Sequence, residues 1–411
     1  MKIGFIGLGK LGLPCALAIN SKGHQVWGFD INTEVEIILK NKKIPYTEKL
    51  ADTLLENHTI KFGSISDVVK NSDIIFVPIQ TPHDPKFEGS TTLVEERADF
   101  DYTALKIGIQ SLSDEMKNQC ENKIVIIIST VLPGTIEKEI YPIIKGNEYF
   151  NLCYNPFFIA MGTTISDFLN PEFVLFGTEN ELVAQKVKEF YTTIHDKPFY
   201  QTTIKNSELI KVAYNTFIGM KIVFANTIME ICHKTGANID GVMGALKMAN
   251  SRLISPKYLN GGMGDGGGCH PRDNIAMSWL AKELNLSYNF FDDLMMGREK
   301  QTNFLIELLL ENDGPYYIFG KTFKEETNLV LGSAAILLAN MLNEKGIEFT
   351  HWDPYVDKEE PNMEKGTYIV TTRHDTFKDI EFPSGSTVID VWRYLSFDDT
   401  TIKHIKIGIN E

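Results

Sequence analysis

Long hydrophobic runs are missing from this chain. The apolar stretch Ile124–Ile128 is far shorter than the roughly 20 residues a membrane-crossing helix needs, so no membrane partner is expected. Lysine and arginine never gather into a block able to follow a phosphate backbone, and the net charge is −14, which sets nucleic acid aside as a partner. An anionic ligand would have to be held by a few local cations and by helix ends. Cysteine is sparse too: Cys15, Cys120, Cys153, Cys232 and Cys269 are odd in number and scattered, with no CxxC pair. Neither a disulfide framework nor a zinc site follows from that pattern, no metal is expected, and a reducing, cytoplasmic compartment fits. The opening Met1-Lys-Ile-Gly-Phe-Ile-Gly7 has no charged leader, apolar core or cleavage site. Internal repeats and low-complexity segments are equally absent. What remains is an ordinary globular composition, 43% hydrophobic and 23% charged, over 411 residues. At roughly 150 residues per domain, two or three domains are expected.

Lys2–Ile6 reads as a strand, Gly7-Leu-Gly-Lys-Leu-Gly12 as a turn into an apolar helix, and Gln25-Val-Trp-Gly-Phe-Asp30 as a second strand ending on an acid. This order is the dinucleotide fingerprint. Gly7 makes the tight turn, Gly9 lets a pyrophosphate approach, Gly12 lets helix pack on strand, and Leu11 lies in the same turn. Asp30 would hold the adenosine ribose hydroxyls, and its carboxylate would repel a 2′-phosphate, so NAD is favoured over NADP.

Strand and helix go on alternating. A strand over 73–79 leads to Gln80-Thr-Pro82, and Lys123–Ile128 leads to Ser129-Thr-Val-Leu-Pro-Gly-Thr135. Ligands of a doubly wound sheet lie beyond the carboxyl ends of its strands, so Thr81 and Thr130 fall where cofactor and substrate would meet. The plainer alternative is that each caps the helix that follows. Residues 83–101 between them read as a polar, mobile loop. Further strands are expected within 151–162 and over Phe173–Gly177.

From about Ile204 to Lys234 the apolar periodicity Ile210, Ala213, Phe217, Met220, Phe224, Ile228 runs without proline, predicting a helix long enough to join domains or to form a homodimer interface. Lys211 and Asn215 share one face of it, as a solvated stripe or as a functional pair. Gly264-Asp-Gly-Gly-Gly-Cys-His-Pro-Arg-Asp273 then sets Cys269 at the mouth of a helix begun by Pro271, where unpaired N–H groups favour a thiolate. Asp273 returns to the same face. A cysteine packed into the base of a glycine turn is the plain alternative. Helical pattern continues to about Leu310. Tyr316–Gly320, a helix over Ser333–Lys345, and strands over Glu348–Trp352, Tyr368–Val370 and Thr387–Ile389 then form a second, smaller alternating unit. The expectation is an α/β chain with a Rossmann NAD-binding domain over 1–200, a helical central and dimerisation domain over 201–312, and a Rossmann-like C-terminal domain over 313–411.

With these blocks the chain resembles the nucleotide-sugar 6-dehydrogenase family along its whole length. The likeness rests on the fingerprint, Ser129-Thr-Val-Leu-Pro-Gly-Thr135, Ser207-Glu-Leu-Ile-Lys-Val-Ala-Tyr-Asn215, Asn250-Ser-Arg252, Gly266-Gly-Gly-Cys-His-Pro-Arg-Asp273, and Phe323-Lys324 ahead of Asp353-Pro-Tyr355. The resemblance implies NAD-dependent four-electron oxidation of a nucleotide sugar at C6, UDP-glucose to UDP-glucuronate, with GDP-mannose and UDP-N-acetylmannosamine as other substrates of such enzymes. It implies that Cys269 forms a thiohemiacetal and then a thioester, that Lys211 and Asn215 stabilise the oxyanion, and that Asp273 and Thr130 hold the water. It further implies that Arg252 reaches a neighbouring subunit's substrate, and that Lys324, Tyr258 and Gly266 bind the nucleotide diphosphate.

Several positions depart from the family pattern. Asn155-Pro-Phe-Phe-Ile-Ala-Met-Gly162 carries Phe157 and Met161 where the family has glutamates, and methionine cannot take a proton. Glu172, in Asn170-Pro-Glu-Phe173, and His270 are candidate replacements, against the plainer readings that the first is a chance recurrence of the motif just ahead of a strand and that the second diverges from Cys269 at a helix start. Leu331 stands where the family places an arginine ahead of Ser333. Two other readings remain open: a two-electron β-hydroxyacid dehydrogenase, which needs neither Cys269 nor the segment after Tyr316, and a nucleotide-sugar binding protein that has lost turnover with its glutamates.

Overall fold

The computed structural model describes residues 1–46, 48–82, 98–160, 162–255, 261–264, 271 and 281–408. Two compact units make up the chain, Met1–Gly219 and Met220–Glu411. Of the loop expected over 83–101, residues 83–97 lie outside the described residues. Of the helix expected from Pro271 to about Leu310, residues 272–280 do, and the rest is broken at 284–289, where Asn285 has φ +49°, before the helix Phe290–Leu310.

The first unit is built on an eight-stranded sheet. Its strands are β1 (Lys2–Ile6), β2 (Gln25–Phe29), β3 (Lys61–Phe62), β4 (Ile74–Val77), β5 (Lys123–Ile127), β6 (Phe150–Tyr154), β7 (Val174–Gly177) and β8 (Phe199–Thr202), in the order β3-β2-β1-β4-β5-β6-β7-β8. β1 to β6 are parallel, β7 meets β6 antiparallel, and β8 runs parallel to β7. Central strands are apolar on both faces because both are covered by helices. Ile74 and Phe76 of β4, with Ile124 and Ile126 of β5, enter one core, while Ile75, Val77, Val125 and Ile127 enter the other. The strand order reverses between β1 and β4, and the crevice beyond their carboxyl ends is where such sheets bind ligands.

Three strands escape the periodicity of the sequence: β3, β8 and, in the second unit, β13 (Lys403–Lys406). All sit at sheet edges and are two to four residues long. Edge strands are kept short and polar, so their alternation carries little signal.

The helix Ile204–Thr235 is 32 residues long, as its periodicity predicts, and the division between the two units falls within it. In the second unit β9 (Tyr316–Phe319), β10 (Phe349–Trp352), β11 (Thr367–Val370), β12 (Thr387–Asp390) and β13 form a five-stranded, wholly parallel sheet ordered β10-β9-β11-β12-β13. On one face, helices Phe290–Leu310 and Ala334–Glu344 pack Leu305, Ile306, Leu338 and Leu342 onto Ile318, Ile369 and Ile389. The other face is aromatic, with Tyr317 stacked on Tyr368 at 4.4 Å and Phe319 against Trp352 at 5.2 Å. The chain is thus α/β, with Rossmann-like parallel sheets toward each end and helices between.

Candidate functional site

Beyond the carboxyl ends of β1, β4 and β5 lies a cleft of about 560 Å³ whose lining includes Gly9, Leu11, Thr81, Thr130, Phe157, Lys211 and Asn215. Its floor is the glycine turn. Gly7 has φ +113°, open to glycine at little cost, and its N–H donates to the Phe29 carbonyl at 2.8 Å. A Cβ on Gly12 would stand 2.3 Å from the Gly7 carbonyl oxygen, so a side chain there would push helix from strand. At Gly9 a Cβ would meet nothing within 4 Å, which leaves the backbone open to a ligand. No side chain caps the helix Gly12–Ser21, and the positive end of its dipole suits a pyrophosphate. Asp30, just past β2, accepts from the N–H of Leu8 at 2.6 Å and of Asn32 at 2.8 Å, which holds the carboxylate in place with lone pairs to spare for ribose hydroxyls. An open backbone, an uncapped helix end and a fixed acid fit a dinucleotide.

The two threonines meet. Thr81 donates its hydroxyl to the Thr130 carbonyl at 2.6 Å, and neighbouring Ser129 donates to the Ile79 carbonyl at 2.5 Å. Among the described residues neither threonine is an N-cap, since Tyr102 and Thr135 hold the N-cap positions of the next described helices. Adjacency of β4 and β5 is what brings the pair together.

Lys211 is 8% exposed, so the solvated-stripe reading does not hold for it. Its ammonium donates to the Phe157 carbonyl at 2.7 Å and lies 5.2 Å from the centre of the Phe158 ring. Burial draws its pKa below the usual lysine range. Asn215, one turn further, is exposed and lines the same cleft.

Two groups that support this lysine were not singled out from the sequence. Asn155 holds the loop carrying Phe157 by donating to the Leu175 carbonyl at 2.6 Å and accepting from the Tyr191 hydroxyl. Glu208 accepts from the N–H of Gly134 at 2.6 Å and of Ile136 at 2.8 Å, tying the start of the long helix to the segment after Thr130. Burial raises its pKa, against the pull of those N–H groups. An acid one helical turn before Lys211, on an otherwise buried face, was the signal available for it.

Phe157, standing where the family has a glutamate, lines the cleft, and no carboxylate does so among the described residues. Glu172 is exposed and outside that lining, so it does not take the place of either glutamate. Met161, Tyr258, Gly266, Cys269, His270 and Asp273 lie outside the described residues. Arg252 is exposed in a turn following the helix Ile239–Lys247.

A second cleft, about 450 Å³, opens in the Met220–Glu411 unit beyond the carboxyl ends of β9, β11 and β12, and Lys324, Arg373, Trp392 and Arg393 are among the residues lining it. A Cβ on Gly262 would stand 2.2 Å from the Trp392 ring, so this close approach requires glycine. Behind the segment that carries Lys324, buried Asp353 accepts from the N–H of Lys321 at 2.6 Å and of Thr322 at 3.1 Å, and contacts His374 Nε2 at 3.1 Å. Burial alone would raise the Asp353 pKa, but the hydrogen bonds from His374 and the backbone outweigh it and hold the carboxyl at about 2.

Comparison with known proteins gives a consistent result. Residues 1–195 match the model of the UDP-glucose/GDP-mannose dehydrogenase family NAD binding domain, and residues 205–296 match that family's central domain. A UDP-glucose 6-dehydrogenase of Rickettsia conorii is 30% identical over 366 residues, covering 86% of this chain and 81% of the relative. A GDP-mannose 6-dehydrogenase of Pseudomonas aeruginosa is 26% identical, covering 87% and 82%. The crystal structure of a ternary complex of GDP-mannose dehydrogenase from Pseudomonas aeruginosa superposes with a TM-score of 0.88 at 22% identity, over 98% of this chain and 99% of that one, a likeness of fold.

Proposed function

Because the chain belongs to the UDP-glucose/GDP-mannose dehydrogenase family, whose members use NAD, we propose that it oxidises the C6 alcohol of UDP-glucose to the carboxylate of UDP-glucuronate in two steps. The observation that carries this reading is the shared cleft. Lys211, Asn215 and Thr130 line the same space as Gly9 and Leu11 of the dinucleotide turn. NAD, when bound, takes up the hydride of each oxidation.

The residues do the rest. Lys211 and Asn215 aim donors at the sugar oxygen, which gains negative charge as its proton passes to the water held by Thr130 and Asp273, and burial of Lys211 strengthens that interaction relative to water. The Cys269 thiolate adds to the aldehyde carbon, forming a C–S bond and an alkoxide that takes a proton. The resulting thiohemiacetal is tied to the protein until the second oxidation makes it a thioester. Water, held by Thr130 and Asp273, then adds to the thioester carbon. The C–S bond breaks, and acid and thiol are released. Lys324, Tyr258 and Gly266 hold the nucleotide diphosphate. We read the long helix as the contact between two copies of the chain, supported by its exposed Phe217, Ile218, Met220 and Met229, with exposed Arg252 serving the neighbouring copy's substrate. Among the described residues no helix is long and apolar enough to cross a membrane.

A binding protein without turnover is the second reading, favoured by Phe157 standing in the cleft where the family has a carboxylate. One panel of substrates separates the two. With NAD in excess, kcat/KM for UDP-glucose is expected to exceed that for GDP-mannose and for UDP-N-acetylmannosamine by roughly tenfold or more. A preference for GDP-mannose would reassign the sugar, and binding without any NADH would leave only the second reading.

A further inference from the structure

Three cations among the described residues line the second cleft, and they are not equivalent. Arg393 is committed to the fold: its Nη1 donates to the Val391 carbonyl at 2.8 Å and the Ile407 carbonyl at 3.1 Å, and its Nη2 to the Gly261 carbonyl at 2.6 Å. Arg373 is different. It stands just past the carboxyl end of β11, and its guanidinium, 5.7 Å from the centre of the Tyr394 ring, makes no hydrogen bond or ion pair among the described residues. The Tyr394 hydroxyl donates to the His374 carbonyl at 3.0 Å, which fixes the ring as a platform for the guanidinium. The carboxylate of Asp375, two residues on, is taken by Lys378 at 2.5 Å. Among the described residues Lys324, which lines the same cleft, has no ion pair to its ammonium, and Glu325 is the one acidic residue of the lining. Leu331, by contrast, is 76% exposed and does not line the cleft.

From this arrangement we infer that Arg373 grips the diphosphate of the nucleotide sugar together with Lys324, so that the arginine function missing at position 331 is supplied from the end of β11. The inference rests on the nucleotide-sugar reading given above. A diphosphate has acceptors on two phosphorus atoms; lysine offers a point charge, whereas a planar guanidinium offers paired donors that match two phosphate oxygens at once. The Tyr394 platform restricts the guanidinium beforehand, which lowers the entropy lost when the anion arrives.

The test is calorimetric titration of the full chain with UDP and with uridine, for wild type, Arg373→Ala and Arg373→Lys, and with GDP in place of UDP if UDP does not bind. Arg373→Ala is expected to weaken the diphosphate about tenfold or more and to leave uridine within about twofold, while Arg373→Lys recovers part of the loss. Equal diphosphate affinity in wild type and Arg373→Ala would overturn the inference. So would an equal loss for uridine, or a wild type that binds neither diphosphate. Should one variant fail to fold, the other carries the same comparison. Because titration needs no turnover, a chain that oxidised no sugar yet lost UDP on Arg373→Ala would refute the catalytic reading and sustain this one.

Discussion

Replacing Cys269 with serine is expected to lower acid formation by at least about 10⁴-fold, by analogy with the loss seen when a covalent nucleophile is removed. NAD affinity should stay within about twofold of wild type. The reason is chemical. Between the two oxidations an aldehyde has to be kept from leaving and from hydrating unproductively. A thiolate does this by forming a bond that the second oxidation turns into a thioester, and a serine hydroxyl at neutral pH is a far weaker nucleophile. The measurement is the rate of UDP-glucuronate formation beside an NAD titration of the same variant. Full acid formation in Cys269→Ser would remove the covalent mechanism. Loss of NAD affinity would mean instead that the variant had disturbed the fold.

Lys211→Ala should cost roughly 10²–10³-fold in kcat, the usual consequence of deleting one preorganised donor to a developing oxyanion. KM for NAD should change little, because Lys211 reaches the cleft from the long helix while the dinucleotide turn belongs to the start of the helix Gly12–Ser21. The substitution also leaves the Phe157 carbonyl without its donor, so a thermal melt of the variant has to accompany the kinetics. The pH profile carries a further sign. Burial lowers the Lys211 pKa, the cationic form is the active one, and so activity is lost as pH rises through a value below the ordinary lysine range. In Lys211→Ala that basic limb should vanish. If the limb persists unchanged, another group owns it and the oxyanion role fails.

Much of this architecture is legible in the sequence. Ile124–Ile127 is buried on both faces, as its unbroken apolar run implied, and the glycine turn sits between β1 and its helix as the spacing required. Strand direction leaves no such mark. Nothing in Val174–Gly177 says that it pairs antiparallel with β6, because direction is set by the connection and the partner, not by the strand's own residues. At the site, Thr81 and Thr130 could be placed from the rule that ligands sit beyond strand ends, and Lys211 with Asn215 from helical spacing. The groups that hold them could not. Glu208 reaches the N–H of Gly134 across 74 positions of sequence, and Arg373 shares a cleft with Lys324 only because β11 lies beside β9. Such contacts are properties of sheet order. Phe157 belongs to both classes: its departure from the family was visible at once, but its carbonyl as the acceptor for Lys211 was not.

The central claim is that one sugar carbon is oxidised twice without leaving the protein. It is tested most directly by counting NADH against UDP-glucose consumed in a single reaction run to completion. The account predicts two NADH for each sugar, with no free aldehyde caught by a carbonyl trap. One NADH per sugar with aldehyde in solution would contradict it.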